Sequence, residues 1–482
     1  MRIIGNRGNT ARKVQAVASG ALASGDTVVV NADGTVSAVV ASDQAVGSFS
    51  VFESATTSQI GATFDSNSNK VVISYRDTGN SNYGTAVVGT VDPSDNSISF
   101  GTPAVFESAT VNDTTATFDS NSNKVVIAYK DDGNSGYGTA VVGTVSGTDI
   151  SFGTPVVFES VSTTHIGSTF DTNSNKVVIA YADNGAPRHG HAIIGTVSGT
   201  GISFGTTVVF SAGNTSDCSP TFDSNSNKVL ISYKDFEGDT VGRAIVGTVS
   251  NTSISFGTSA VFATGNSSAV STAFDSNSNK HVIAFTDGGN STQGTAIVAT
   301  ISGTSVSFGS KVVYNTGNST NITPVFDANA NKIVIFYGDA GNSNYGTFVV
   351  GSVSGTDISF GSEVVFNTAE TSGNPAIFDS NSNRTVVAFQ NGGNSYYGTA
   401  FVLQPASTNI TTENYIGIAS NGYATGQAAT INAKGFIDDN QSSLTAGQSY
   451  YVQTNGDLGL TAADPSVFAG TAVSATKLIV KG

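Results

Sequence analysis

Cysteine is nearly absent. The single Cys218 in 482 residues rules out an internal disulfide and any zinc site built from several thiolates. It reads as an inert small residue in a loop between repeats. Charge is scarce as well. Only 11% of residues are charged, and the 20 Lys and Arg are outnumbered by 35 Asp and Glu. A net charge of −15 argues against the clustered basic surface that a nucleic-acid partner needs. Solubility must then rest on neutral Ser, Thr, Asn and Gly. No apolar run reaches the length of a membrane-spanning helix, so no membrane insertion is expected. The opening M-R-I-I-G-N-R-G-N-T lacks the apolar centre of a signal peptide, so export by that route is not expected. A chain of this kind acting outside a cell would leave by another route, such as release with an assembled particle on lysis. Helical periodicity is missing too: no window places apolar residues at i, i+3, i+4 and i+7 for long enough.

What is present is repetition. F-D-S-N-S-N-K, first met at Phe64, returns with small changes at Phe118, Phe170, Phe222, Phe274, Phe326 and Phe378, seven copies spaced by 54 and then by 52 residues. A fixed period of this size means one supersecondary unit copied and stacked. In the second copy, K-V-V-I-A-Y-K-D (124–131), Y-G-T-A-V-V-G-T-V (137–145) and I-S-F-G-T-P-V-V-F-E (150–159) are runs of β-formers. Gly, Asn, Asp and Ser clusters separate them. Four antiparallel strands per copy are expected. The fold class that follows is all-β, a seven-bladed β-propeller of four-stranded blades, with a small β domain from the two flanks.

The ends of the array support closure. An aromatic residue stands 12 positions before each Phe-Asp, from Phe52 to Phe366, and belongs to a fourth strand. After Phe378 only two more strands follow, ending near Gln404, whereas V-G-S-F-S-V-F-E (46–53) at the front aligns with F-G-T-P-V-V-F-E (152–159). The front strand would complete the last blade. Residues 46–404 form the expected propeller, flanked by 1–45 and 405–482. The flanks carry two similar hairpins, with Gly25 and Gly34, like Gly447 and Gly456, nine residues apart. One domain made from both flanks is expected, and two separate small domains are the alternative.

Chemistry is harder to place. D-x-N-x-N (Asp65, Asn67, Asn69) resembles the opening of a calcium loop, but Lys70 stands where a glycine is required. A structural turn is favoured over calcium, and neither metal nor cofactor is expected. Comparison of the copies shows the turns between strands 1–2 and 3–4 nearly constant. The 2–3 and 4–1 loops vary and share the opposite face. Such loops on a rigid scaffold are binding candidates, although exposed loops also drift. From this face the ligand-binding candidates are Asp77, Asn80, Asp131, Asn134, Arg188, His189, Asp235, Glu237, Asp287, Asn290, Asp339 and Asn342. The Y-x-D motif (Tyr75/Asp77, Tyr129/Asp131, Tyr181/Asp183, Tyr233/Asp235, Tyr337/Asp339) could offer sugars a stacking ring and an acceptor, against the plainer reading of packing and capping. Hydrolysis would need a unique pair of groups. Only Arg188, His189, His191, Asp217, Asp235, Glu237, Asp239 and Arg243 break the near-identity of the copies, and no spacing marks them as catalytic. No G-x-S-x-G, H-E-x-x-H or P-loop occurs, so no enzyme is expected.

L-T-A-G-Q-S-Y-Y-V-Q-T-N-G-D-L (444–458), with D-P-S-V-F-A-G-T-A-V-S-A-T-K-L-I-V-K (464–481), resembles the end segment of virion structural proteins of tailed bacteriophages, those of marine cyanophages above all. A-S-G-A-L-A-S-G-D-T-V-V-V-N-A-D-G-T-V (18–36) looks like the matching front segment. The resemblance covers about a quarter of the chain. It implies a particle-borne appendage on the outer surface of a virion: a tail fibre or receptor-binding protein whose propeller touches a host-surface glycan or protein. The terminal β domain would dock to other virion proteins. A capsid decoration or head fibre is the alternative, and a glycan-cleaving propeller the third reading. Fibres are often trimeric, which leaves a homo-oligomer open, and no heptad stretch argues for it.

Overall fold

The structure is a computed structural model that describes residues 2–4, 13–185, 187–236 and 240–481. The chain divides into two compact units, one of residues 45–405 and one that joins 1–44 to 406–482. Among the described residues the regular elements are β-strands, apart from one-turn 3-10 segments.

In the larger unit the repeat becomes an antiparallel sheet. Lys124–Asp131 pairs with Tyr137–Ser146 in unbroken register from Val125↔Gly143 to Asp131↔Tyr137. Both faces of Lys124–Asp131 are covered: Val125, Ile127 and Tyr129 pack toward the preceding copy, Val126 and Ala128 toward the following one. That two-sided burial is why V-V-I-A-Y is uniformly apolar rather than alternating. The tight turn before it is an Asx turn. Asp119 Oδ1 accepts hydrogen bonds from the main-chain N–H of Asn121 (2.9 Å) and Ser122 (3.0 Å), and Asn123 takes the left-handed φ of 54° that closes the loop. The third strand pairs beyond with Asp149–Phe152 and then with Val156 onward, two pieces of one fourth strand.

The 4–1 connections expected to be loops are largely strand. Ser50–Asp65, Ala104–Asp119, Val156–Asp171 and Val312–Asp327 each run 16 residues without interruption, from the edge of one sheet into the first strand of the next. Bulges make this feasible. Ala104–Asp119 shifts register between Val105 and Glu107 and again between Glu107 and Thr110, leaves its first partner, and shifts once more between Asn112 and Thr115. Cys218, expected in such a loop, lies buried inside the strand Thr215–Asp223.

Successive sheets meet face to face through apolar clusters. Phe158, at 5.2 Å from Tyr181 and 5.7 Å from Phe204, is typical. Gly138 has no side chain because a Cβ there would come within 2.4 Å of the Phe158 ring. The series meets its own beginning: Phe52, Val71, Ile73 and Tyr75 share a core with Val386, Ala388, Ala400 and Val402. Tyr397–Gln404 pairs with the front strand through Thr399↔Val51 and Ala400↔Ser50.

The smaller unit interleaves the two flanks. Lys13–Val17 pairs with Ala428–Asn432, and Thr27–Val30 with Tyr415–Ala419. A second sheet holds Ser449–Val452, Val467–Ser474 and Lys477–Val480. Val29 and Val39 from the front are buried with Tyr415, Tyr450, Val467 and Leu478 from the rear.

Candidate functional site

At the start of each first strand one residue is left-handed. The seven positions are equivalent: Gln59, Asp113, His165, Asp217, Ala269, Asn321 and Gly373, with φ between 47° and 54°. A non-glycine residue in this region costs about 1–2 kcal/mol, so six such positions in matching register are a constructed feature. All seven line one cavity of about 600 Å³. Its wall is chiefly amide, hydroxyl, carboxylate and imidazole, relieved by Ile60, Ile166, Val270 and Ile322.

Neighbouring positions are stitched together on one side. Gln59 Oε1 accepts from the Asp113 N–H at 2.8 Å. The Asp113 carboxyl in turn takes the His165 N–H, and His165 Nδ1 stands 3.6 Å from Asp217 Oδ1. Burial pushes the Asp113 carboxyl above the usual carboxylate range, against the His165 charge and N–H, which pull it down. Opposite this polar arc, Ala269 and Gly373 leave room. A smaller cavity of about 380 Å³ shares Gln59, Asp113 and His165 and adds Lys130, Asn184 and Arg188. Burial also holds the Cys218 thiol well above its ordinary range, so it offers no nucleophile.

The candidates drawn from the sequence fare differently. The aspartates of Y-x-D face inward. Asp77 caps a 3-10 turn by accepting from Asn80 N at 3.1 Å and Asp339 from Gly341 N at 3.0 Å, and Asp287, which follows Phe285 instead of a tyrosine, does so from Gly289 N at 3.0 Å. Asp131 holds the same place, buried. In the turns of Asp77, Asp287 and Asp339 the free N–H groups need an acceptor, and the carboxylates are spent on them. The tyrosines are no platform either: Tyr75, Tyr129, Tyr181, Tyr233 and Tyr337 are all at most 1% exposed. Tyr129 donates to Glu107 Oε2 at 3.0 Å, and Tyr75 to Glu53 Oε2 at 3.1 Å. Asn80, Asn134, Asn290 and Asn342 are exposed at the turn tips and line neither cavity. Arg188 lines the smaller cavity, His189 lies beside Asp183, and Asp235 Oδ2 accepts from Arg243 Nε at 2.7 Å. Glu237 and Asp239 lie outside the described residues. Gln59, Asp113, His165 and Asn321 were missed, although they recur at the repeat period in segments whose variability is plain.

No protein-family model matches the sequence, and no curated protein is similar to it. Among solved structures, the BP39L lectin from Burkholderia pseudomallei superposes with a TM-score of 0.54 at 11% identity, over 74% of this chain and 99% of the lectin. Sqt1 of Saccharomyces cerevisiae gives a TM-score of 0.45 at 11% identity, over 76% and 100%. The likeness to the lectin is one of fold.

Proposed function

We propose that this chain is a non-enzymatic carbohydrate-binding protein whose repeat unit is a seven-bladed β-propeller, carried on the outside of a virion. The observation that carries the binding role is the convergence of seven equivalent left-handed positions on one polar cavity. Its wall of amides, hydroxyls and carboxylates, interrupted by a few apolar side chains, suits a sugar: hydroxyls meet acceptors and donors, and the ring's C–H face meets isoleucine or valine. The lectin of similar fold supports the same reading. The virion role rests on the flank segments 18–36 and 444–481. A tail fibre or receptor-binding appendage is the favoured form of that role, and a capsid decoration or head fibre is the lesser alternative.

The test uses the full chain on an array of bacterial surface glycans, followed by calorimetry on any glycan retained. Asp217→Ala and Asn321→Ala are expected to weaken binding at least tenfold, the cost of one or two hydrogen bonds to a charged or amide acceptor. Asn80→Ala and Asn342→Ala, at the turn tips, are expected to leave it unchanged. No retained glycan, or affinity indifferent to both cavity variants, would sink the proposal. Antibody labelling of intact particles decides the location separately.

A further inference from the structure

We propose that Asp183, His189 and His191 form a binding site for a borderline divalent transition metal ion, Zn²⁺ in the first place. The third copy differs from its neighbours at these positions. Where His189 and His191 stand, the second copy has Tyr137 and Thr139, and the first has Tyr83 and Thr85. Two of the chain's four histidines are thus placed two residues apart in a single copy.

The loop is rebuilt around them. In the first copy Asp77 caps a 3-10 turn of Thr78–Asn80. In the third, no such turn forms among the described residues. Asp183 Oδ1 instead accepts the main-chain N–H of His189 at 2.8 Å, while Asp183 N–H donates to the His189 carbonyl at 3.1 Å. These two bonds tie the loop shut and set His189 next to the carboxylate. Alternation along the strand places His191 on the same side. It lies stacked on Tyr181 with ring centroids 5.4 Å apart. One ligand atom from each of the three residues lies within 4.8 Å of the others.

The distance between Asp183 Oδ2 and His191 Nε2 is 3.3 Å. Two ligands held at about 2.0–2.1 Å from a tetrahedral ion are about 3.3 Å apart. Two of the corresponding aspartates hold a cation. Asp235 takes Arg243 Nε at 2.7 Å, and Asp287 takes Lys311 Nζ at 2.6 Å. In the third copy the groups that face this carboxylate are two imidazoles, which favour Zn²⁺, Ni²⁺ or Cu²⁺ over Ca²⁺ or Mg²⁺. All three residues are partly exposed, so an ion can reach them. Three protein ligands leave a coordination position open for water or a ligand oxygen. His191 Nδ1 is buried without a hydrogen-bond partner. A missing outer partner of this kind lowers affinity about 10–100-fold, so binding is expected to be weaker than at closed four-ligand zinc sites.

The experiment takes the full chain, stripped with a chelator and dialysed, and titrates ZnCl₂ by calorimetry and CoCl₂ by visible absorption. One ion per chain is expected, with cobalt bands of four- or five-coordinate geometry. His189→Ala should weaken binding at least tenfold. The double change His189→Tyr with His191→Thr, which installs the residues of the second copy, should abolish it with the unfolding midpoint kept. His165→Ala, in the cavity, should change nothing. Absence of binding by the native chain, or undiminished binding after either the single or the double change, would overturn the proposal.

Discussion

His281 occupies a place that other copies give to Val71, Val125, Val177, Val229, Ile333 and Thr385. It is fully buried, and neither ring nitrogen makes a hydrogen bond. Thr385 reaches the turn aspartate of the preceding copy, Asp327, at 2.9 Å, whereas the His281 ring stops 3.7 Å short of Asp223. An unsatisfied buried group costs about 1–3 kcal/mol, so His281→Val should stabilise the unit by that order, read from the denaturant midpoint. Burial lowers the His281 pKa, with Asp223 opposing. Below its ordinary value near 6.5 the unfolded chain binds a proton that the folded chain refuses. Stability should therefore fall as pH drops through that value toward the folded pKa, and the variant should lose this part of the slope. An unchanged slope would refute the assignment. The same scale explains why Y-x-D misled. In one copy a tyrosine and an aspartate beside a loop suit a sugar, but the direction each takes depends on the neighbouring sheet, which the local string does not contain.

At the scale of the element, the 16-residue strands are the main departure from the sequence reading. Segments such as S-A-T-T-S-Q are polar and variable, which resembles a loop. They stay extended because each half finds its partners in a different sheet. Just after the change of partner a bulge follows, as between Asn112 and Thr115, and it holds the left-handed residue that lines the cavity. Among the seven, Ala269 has φ 51° and no polar side chain to anchor the kink. Ala269→Gly should stabilise by about 1 kcal/mol through relief of the left-handed penalty, a gain set against glycine's greater loss of entropy on folding. A destabilisation of equal size would show that the kink is unstrained. The turn D-S-N-S-N was legible from its residues, since aspartate and asparagine carry their own acceptors and tolerate the left-handed region. The kinks were not, because their residues differ from copy to copy (Gln59, Asp113, His165, Asp217, Ala269, Asn321, Gly373) and no one type repeats to mark the place.

For the whole molecule, the consequential contact is the one between the last sheet and the front strand. Phe52 is 5% exposed in the core between the last and first sheets, and Phe158 is 7% exposed in an internal one. If the two junctions are equally well packed, Phe52→Ala and Phe158→Ala should each cost about 3–5 kcal/mol in chemical denaturation. A much smaller loss at Phe52 would mean that the last junction contributes little. The number of copies, their strands and the front segment's match to 152–159 could all be read in the chain, because a repeat prints its pairing rules seven times.

The sequence by itself determined the period, the strands, the Asx turns and the chemical poverty in cysteine and charge, since these depend on residues near one another in the chain. Tertiary structure alone decided which polar groups are spent on caps and packing and which remain to line a cavity. Positions 52 residues apart become neighbours only when the sheets stack, and no local propensity records that meeting.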